Sequence, residues 1–418
     1  MLVGLDIGTT KVCAVIGEVN EDGVLEITGV GVAPSKGLRK GAVVNIEATL
    51  DAIAAAIEAA EMMSGRDITE CWTGIGGSHI DGINSRGVVA VGKKHETREI
   101  AEDDIKRVTE AAQAVVIPMD RRILEVIPQS YIVDDQKGIF DPLNMIGVRL
   151  EAEVHIITCS TTGAQNLIKC VNRAGFAVKD LILQTLAAGR AVLSPEEKEL
   201  GVALVDLGGG TTNTLVYSEG APFSISTIPA GGIQVTNDIA IVNNIPFDQA
   251  EKIKLETGCC WEDFLEEGND PVIPGVGGRP PYTIPKERLL AIIRPRMEET
   301  FKLVKEKLDQ ISSVRPLGGG IVLTGGASQL LGVAELASHV FNLPVRIGIP
   351  LPVGGLVPEY RNPAYATAVG LVLTAFDRDQ KIMAKPDVEV GESGSTSLWK
   401  KLKDSCKKTK EWFAKEWF

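Results

Sequence analysis

One short phrase occurs twice in this chain, about 200 residues apart. The first copy is Val3-Gly4-Leu5-Asp6-Ile7-Gly8-Thr9-Thr10-Lys11-Val12-Cys13-Ala14-Val15-Ile16. The second is Leu204-Val205-Asp206-Leu207-Gly208-Gly209-Gly210-Thr211-Thr212-Asn213-Thr214-Leu215-Val216-Tyr217. Each is an apolar strand closing on Asp, a glycine turn carrying hydroxyls, and a second apolar strand. A turn without Cβ atoms lets backbone N–H groups converge on phosphate oxygens, and threonine hydroxyls can donate to the same oxygens. This makes Gly8, Thr9, Thr10, Lys11, Gly208, Gly209, Gly210, Thr211 and Thr212 candidate phosphate-binding residues. Asp6 and Asp206, just ahead of the turns, are placed to hold Mg²⁺ through water.

The segment after each turn decides the fold class. Glycine loops of the Walker and dinucleotide types run into a helix. Here both run into alternating, β-branched segments, so both are hairpins. Two phosphate hairpins of one design predict an α/β protein of two similar halves facing one nucleotide across a cleft.

Composition narrows the functional classes. A chain of 418 residues is long enough for several domains,. Its net charge of −12 argues against nucleic acid as a main partner,. Seven cysteines without a CxxC pair suggest neither a disulfide framework nor a zinc site,. Four scattered histidines do not suggest a metal site or a catalytic triad. No signal peptide is expected, because the N-terminus lacks a basic stretch and carries Asp6. No run of 18 apolar residues occurs, so no membrane span is expected,.

Read in order, a third strand spans about 24–32 and an Ala-rich amphipathic helix 46–63. Another strand, 71–77, ends in a glycine turn. From 78 to 153 the pattern changes. A helix is expected over 101–116, its start marked by Glu102-Asp103-Asp104, which suits a helix N-terminus. Strands come next at 129–133 and 148–157. This insert carries no catalytic constellation and reads as a separate small domain that contacts partners. A helix over 247–257 places Glu251 and Lys254 on one face, where they can meet the ribose and base of a nucleotide. A Gly/Pro loop occupies 269–285. The long helix expected over 288–314 carries Arg294 and Lys302, a candidate basic site for an acidic peptide. Gly325-Gly326-Ala327 lets a flat base lie on bare backbone, with a helix expected over 329–341. Asn362-Pro363 starts a last helix. Small residues there and at Ala187-Ala188-Gly189 allow two helices to cross closely, as a hinge.

These elements, in this order, resemble the actin, Hsp70 and sugar-kinase superfamily. The matching segments are phosphate 1 (6–11), connect 1 (184–193), phosphate 2 (206–213), adenosine (323–330) and connect 2 (362–373). Within it the chain looks like the FtsA family of bacterial cell-division actin homologues. The most specific match is Gly138-Ile139-Phe140-Asp141-Pro142-Leu143-Asn144-Met145-Ile146-Gly147-Val148-Arg149-Leu150-Glu151 running into Val154-His155-Ile156-Ile157-Thr158. That segment belongs to the extra domain these proteins carry in place of one actin subdomain, and Glu251-Lys252-Ile253-Lys254 matches as well. Asn144 stands where the family generally has Gly, and Asn tolerates the positive φ such a turn needs.

The resemblance implies an actin-like fold with ATP and Mg²⁺ as ligands. It implies a first half made of 1–77, 154–200 and 361–376, with 78–153 inserted. The second half comprises 201–235 and 315–360, with a smaller subdomain at 236–314. The implied function is a self-associating adaptor that tethers the FtsZ ring to the cytoplasmic face of the membrane at the division site. FtsZ would be met through its acidic C-terminal peptide near Arg294 or Lys302, and other division proteins through the insert. Gln184 is an amide where several hydrolysing relatives have Glu, although actin itself uses Gln. It can orient a water but cannot accept its proton, so slow hydrolysis or none is expected.

The tail is a feature of its own. Residues 377–397 are polar and rich in Gly and Ser, a flexible linker. Beyond it, at 100° per residue, Leu398, Trp399, Leu402, Cys406, Phe413 and Trp417 share one face, with Trp412 beside it,. Seven lysines against three acids give residues 398–418 a net charge of +4 in an acidic chain. A helix with aromatics on one side and lysines on the other lies in a membrane interface. Each buried large side chain adds up to roughly 1.5–3 kcal/mol, and each Lys about 1 kcal/mol near anionic lipid. Two other readings compete with the adaptor: a small-molecule kinase of the same superfamily, which leaves the tail unexplained, and a pilus-assembly relative, a group that generally lacks such a tail.

Overall fold

Strand β1 (Leu2–Ile7) is buried at every residue, as a strand covered on both faces must be,. It turns back into β2 (Lys11–Val19), and β3 (Leu25–Pro34) completes an antiparallel meander. Helix α1 (Ile46–Ser64) starts on the Asn45 side chain, which accepts from the Ala48 N–H, and buries Ile53, Ala56, Ile57 and Ala60 at helical spacing,. Strand β4 (Glu70–Ile75) then pairs parallel with β1. The structure, a computed structural model, describes residues 1–92, 97–265, 268, 270–273, 280–312 and 315–383. The amphipathic segment 398–418, residues 384–397 of the linker and part of the 269–285 loop lie outside the described residues; residues 377–383, expected to open the flexible linker, instead continue the last helix, Ala366–Met383.

The insert begins with β5 (Asp81–Ala90) and α2 (Glu102–Ala112), continuing through β6 (Arg121–Val133), β7 (Gln136–Ile139) and β8 (Arg149–Ser160). Its antiparallel sheet has the order β7-β6-β8-β5. Helix α2 is tied to it where the Ser85 hydroxyl donates to the Ala112 carbonyl at 2.7 Å. Asp104 completes the start of α2 by accepting from the Ala101 N–H and from Arg98. Burial opposes its charge, but those hydrogen bonds and Arg107 hold its carboxyl down at about 2. Two expectations are corrected here. Helix α2 stops at Ala112, short of Val116, because Val115-Val116-Ile117 is β-branched and precedes Pro118,. Strand β6 starts at Arg121, well before 129, since it pairs with β8 along its length and carries Pro128 next to a register shift,. Asn144 holds the left-handed turn at φ 63°.

Helix α3 (Thr161–Arg173) leads to β9 (Ala177–Leu183), parallel to β4, and then to α4 (Gln184–Val192) and α5 (Pro195–Leu200). A second meander comes next, β10 (Val202–Leu207), β11 (Thr212–Ser218) and β12 (Ala221–Ile228). Helices α6 (Gly232–Asn243), α7 (Phe247–Thr257) and α8 (Lys286–Ser312) precede β13 (Ile321–Thr324), α9 (Val333–Phe341), β14 (Val345–Ile347) and α10 (Ala366–Met383). The two large sheets run β9-β4-β1-β2-β3 and β14-β13-β10-β11-β12. Each is an antiparallel meander extended by two parallel strands, so the repeated phrase has become a repeated topology. The helix expected from Gln329 begins only at Val333. Gly326–Gln329 is a 3₁₀ turn, and Gly332, at φ 78°, redirects the chain against Trp261,.

Helices α4 and α10 cross at the seam between the sheets. A Cβ on Gly370 would stand 1.8 Å from the Ala187 carbonyl oxygen, a contact no side chain can accept. The small residues at the two motifs are what let the helices touch. Gly370→Ala is therefore expected to lower stability by about 1–3 kcal/mol through overpacking. Chemical denaturation of the variant measures it, and an unchanged midpoint contradicts this packing.

Candidate functional site

The two glycine turns are built alike. In each, the glycine after the strand donates its N–H across the turn: Gly8 to Lys11 at 2.9 Å and Gly208 to Thr211 at 3.0 Å. The Asp two residues earlier is paired across each hairpin, Asp6 with Cys13 and Asp206 with Asn213. The turns also touch. A Cβ on Gly209 would fall 2.4 Å from the Thr10 methyl, and one on Gly210 would fall 2.8 Å from the Thr9 hydroxyl. Bare glycine on one side makes room for threonine on the other. Helix α6 is sewn to the second turn, with Gly232 and Ile233 N–H groups donating to the Gly208 and Gly209 carbonyls at 2.9 Å.

These turns form one end of a cleft of about 620 Å³, a volume suited to a ligand the size of a nucleotide. Gly325, Gly326 and Ala327 line it from the turn after β13, and Glu251 and Lys254 from α7. The Lys254 ammonium sits 2.7 Å from Glu251, 2.9 Å from the Thr236 hydroxyl and 3.3 Å from the Gly232 carbonyl, so it has one fixed position. Gly325 has φ 85°, and a Cβ there would meet the Asp206 carboxylate at 2.3 Å,.

Asp6 and Asp206 face the cleft from opposite halves, both buried. Burial pushes the Asp206 carboxyl up to about 7, with the nearby Asp6 charge adding to the rise; the Asn213 hydrogen bond and Lys11 oppose it,. Asp6 is raised by burial too, against Lys11 and a hydrogen bond from Gln184. Burial lowers Lys11 in turn. Gln184 donates to Asp6 at 2.7 Å and to the Ile7 carbonyl at 3.3 Å, leaving its amide oxygen as the group not bound to Asp6. Asp6 and Asp206, both on the cleft wall, are the oxygen donors that could hold a Mg²⁺ through its water shell,.

The cleft thus gathers Asp6, Gly8, Thr9, Thr10, Lys11, Gln184, Asp206, Gly208, Gly209, Gly210, Thr211, Glu251, Lys254 and Gly325 to Ala327. Thr212 is placed otherwise. It is fully buried and donates its hydroxyl to the Ala230 carbonyl at 2.9 Å, because it begins β11 and faces the sheet interior. Arg294 and Lys302 lie on α8, away from the cleft lining. Arg294 pairs with Glu262 at 2.5 Å and stacks over Trp261, and Lys302 pairs with Glu298 at 2.7 Å. Sequence reasoning missed Thr236, which anchors Lys254, and the Gly231-Gly232 pair that brings α6 onto the second turn. The glycine pair was the visible signal; Thr236 carried none.

Two family descriptions match separate stretches of the chain. The family described as "Cell division protein FtsA" matches residues 203–370, and the one described as "SHS2 domain inserted in FTSA" matches 77–158. A protein of Borreliella burgdorferi described as "Cell division protein FtsA" is 46% identical over 419 aligned residues, covering 100% of this chain and 99% of its own. The Escherichia coli protein of that description is 38% identical, covering 100% and 98%. Among solved structures, a PilM-PilN type IV pilus biogenesis complex matches with a TM-score of 0.64 at 17% identity, covering 90% of this chain and 98% of that one. MreB 5 of Spiroplasma citri bound to AMPPNP matches at 0.52 and 14%, covering 91% and 98%. At such identities these two show a shared actin-like fold.

The raised Asp206 carboxyl gives a test with a definite sign. A carboxyl held near 7 when folded and near its ordinary 3.8 when unfolded binds its proton only in the folded state between those values. Its contribution is therefore fully present at low pH and is lost as pH rises toward 7. In chelator-treated, nucleotide-free protein, Asp206→Asn should be the more stable form above pH 7, by up to about 4 kcal/mol. The gap should close toward pH 4. Urea unfolding across that range measures it, and a parent at least as stable as the variant at pH 8 contradicts the buried pair.

Proposed function

This chain belongs to the cell division protein FtsA family, and on that footing we propose that it is an ATP-binding, self-associating adaptor that tethers the FtsZ ring to the membrane. The single observation that carries the nucleotide part is the pair of matched glycine turns meeting across one cleft. The phosphates lie between Gly8–Lys11 and Gly208–Thr211. Mg²⁺ is held through water by Asp6 and Asp206, the ribose and base meet Glu251 and Lys254, and the base rests on Gly325 to Ala327. The domain limits read from the sequence are part of this proposal: 1–77, 154–200 and 361–376 as one half, 201–235 and 315–360 as the other, with 78–153 and 236–314 attached. Gln184 can orient a water but cannot accept its proton, so hydrolysis is slow or absent, with turnover no higher than about 1 s⁻¹, the low end of typical enzyme rates. Phosphate release assays check this, and faster steady-state hydrolysis contradicts it.

The membrane part rests on the sequence of 398–418. Its aromatic face and lysines suit the anionic inner face of a membrane, and among the described residues no helix is long and apolar enough to cross one. One such helix binds weakly alone, so self-association multiplies its hold. Co-sedimentation with anionic vesicles and Mg·ATP compares the full chain with one stopped at Gly394. Only the full chain is expected to pellet with lipid. Equal behaviour of the two removes the tether.

For the FtsZ peptide, an acidic partner would exchange with Glu262 at Arg294 and with Glu298 at Lys302. Charge reversal at either position is expected to weaken peptide binding about tenfold, the scale of a lost interface charge pair. Unchanged affinity in both variants contradicts this site. The inserted sheet offers a separate face to other division proteins.

A further inference from the structure

Lys11 closes the first glycine turn, and its ammonium is held from one side. The nitrogen lies 3.7 Å from the centroid of the Tyr365 ring and donates to the Ala364 carbonyl. Tyr365 is braced edge-on by Tyr360, with centroids 5.1 Å apart at 88°,. The turn bearing these groups, Pro363–Tyr365, is fixed from the opposite half. Asn362 caps it through the Ala364 N–H at 2.9 Å and also donates to Gln329 at 2.8 Å. The Pro363 carbonyl accepts from the Gly325 N–H at 3.2 Å. The ring under Lys11 is thus positioned by residues that surround the base end of the cleft.

The other neighbours of the ammonium give this contact its effect. Asp6 and Asp206 both attract Lys11, so the ring and the Ala364 carbonyl together hold the ammonium against that pull,. A lysine stem is flexible. Freed from the ring, Lys11 would swing to a carboxylate and lose most of the positive potential it offers a phosphate. An aromatic face does something a carboxylate cannot: it fixes a cation without neutralising it.

We propose that Tyr365 is a positioning residue that holds Lys11 toward the two glycine turns and away from Asp6 and Asp206. It thereby sets how tightly the phosphates of a nucleotide are bound, without touching them. The inference rests on the reading of the cleft as a nucleotide site.

The test uses the full chain with Tyr365→Phe, which keeps the ring face, Tyr365→Leu, which removes it, Lys11→Gln, and the Lys11→Gln/Tyr365→Leu double variant. The first readout needs no nucleotide. In ¹³C-lysine spectra, ring current should move the Lys11 ε-methylene protons upfield in the parent and in Tyr365→Phe, and this shift should vanish in Tyr365→Leu. The second readout is Mg·ATP affinity by calorimetry. Tyr365→Leu should weaken binding about 3- to 30-fold, Tyr365→Phe should restore it, and in the Lys11→Gln background the Leu substitution should add nothing. A parent that binds no nucleotide overturns the cleft reading, while the lysine spectrum still decides whether Tyr365 holds Lys11. An unshifted Lys11 signal in the parent, or the same loss from Tyr365→Leu with and without Lys11, overturns the inference.

Discussion

Two glycine turns meet across the seam of this molecule with Thr9 and Thr10 filling the space that side chains on Gly209 and Gly210 would need. Everything else in the cleft depends on that approach. It places two buried carboxylates, one from each half, where neither relieves the other. It brings α6 against the second turn and Lys11 onto the Pro363–Tyr365 turn. On the proposed reading, a phosphate chain entering there would meet glycine backbone, threonine hydroxyls and one lysine,.

The seam that permits this is made by small residues. Gly370 against Ala187 lets α10 lie on α4 at backbone contact, and the buried core around the first sheet runs on through Leu204, Leu215 and Tyr217 of the second sheet. A cleft closed on one side by two touching helices, and lined on the other by two separately built sheets, can widen or narrow by small rotations at the crossing. The insert adds a further restraint, since Gln129 of β6 donates to the Pro222 carbonyl of β12 at 2.9 Å. The second half is thus tied directly to the inserted domain.

Much of this is legible in the residues because the information is local. Asp-x-Gly leading into alternating β-branched residues can form little besides a hairpin, and writing it twice dictates two halves. The Glu251/Lys254 pair is legible because three residues on a helix is a fixed geometry. The features that escape depend on distant neighbours. Thr212 looks like its neighbour Thr211, yet strand alternation turns it into the sheet,. The helix start expected at Gln329 is displaced by Trp261, more than sixty residues away in sequence. Tyr365 is an ordinary aromatic until the fold sets Lys11 above it. Helix α2 ends early because β-branching outweighs the apolar run that suggests its continuation,.

That one nucleotide lies between the two turns is tested most directly by a calorimetric titration of the full chain with Mg·ATP, alongside Gly209→Ala. Adding a methyl to Gly209 pushes Thr10 into the space claimed for phosphate while leaving every charge in place. The expected result is one site per chain in the parent and at least about tenfold weaker binding in the variant, both retaining the same folded circular dichroism. Unchanged affinity in a folded Gly209→Ala protein, or no binding heat in the parent at any temperature tried, would contradict it.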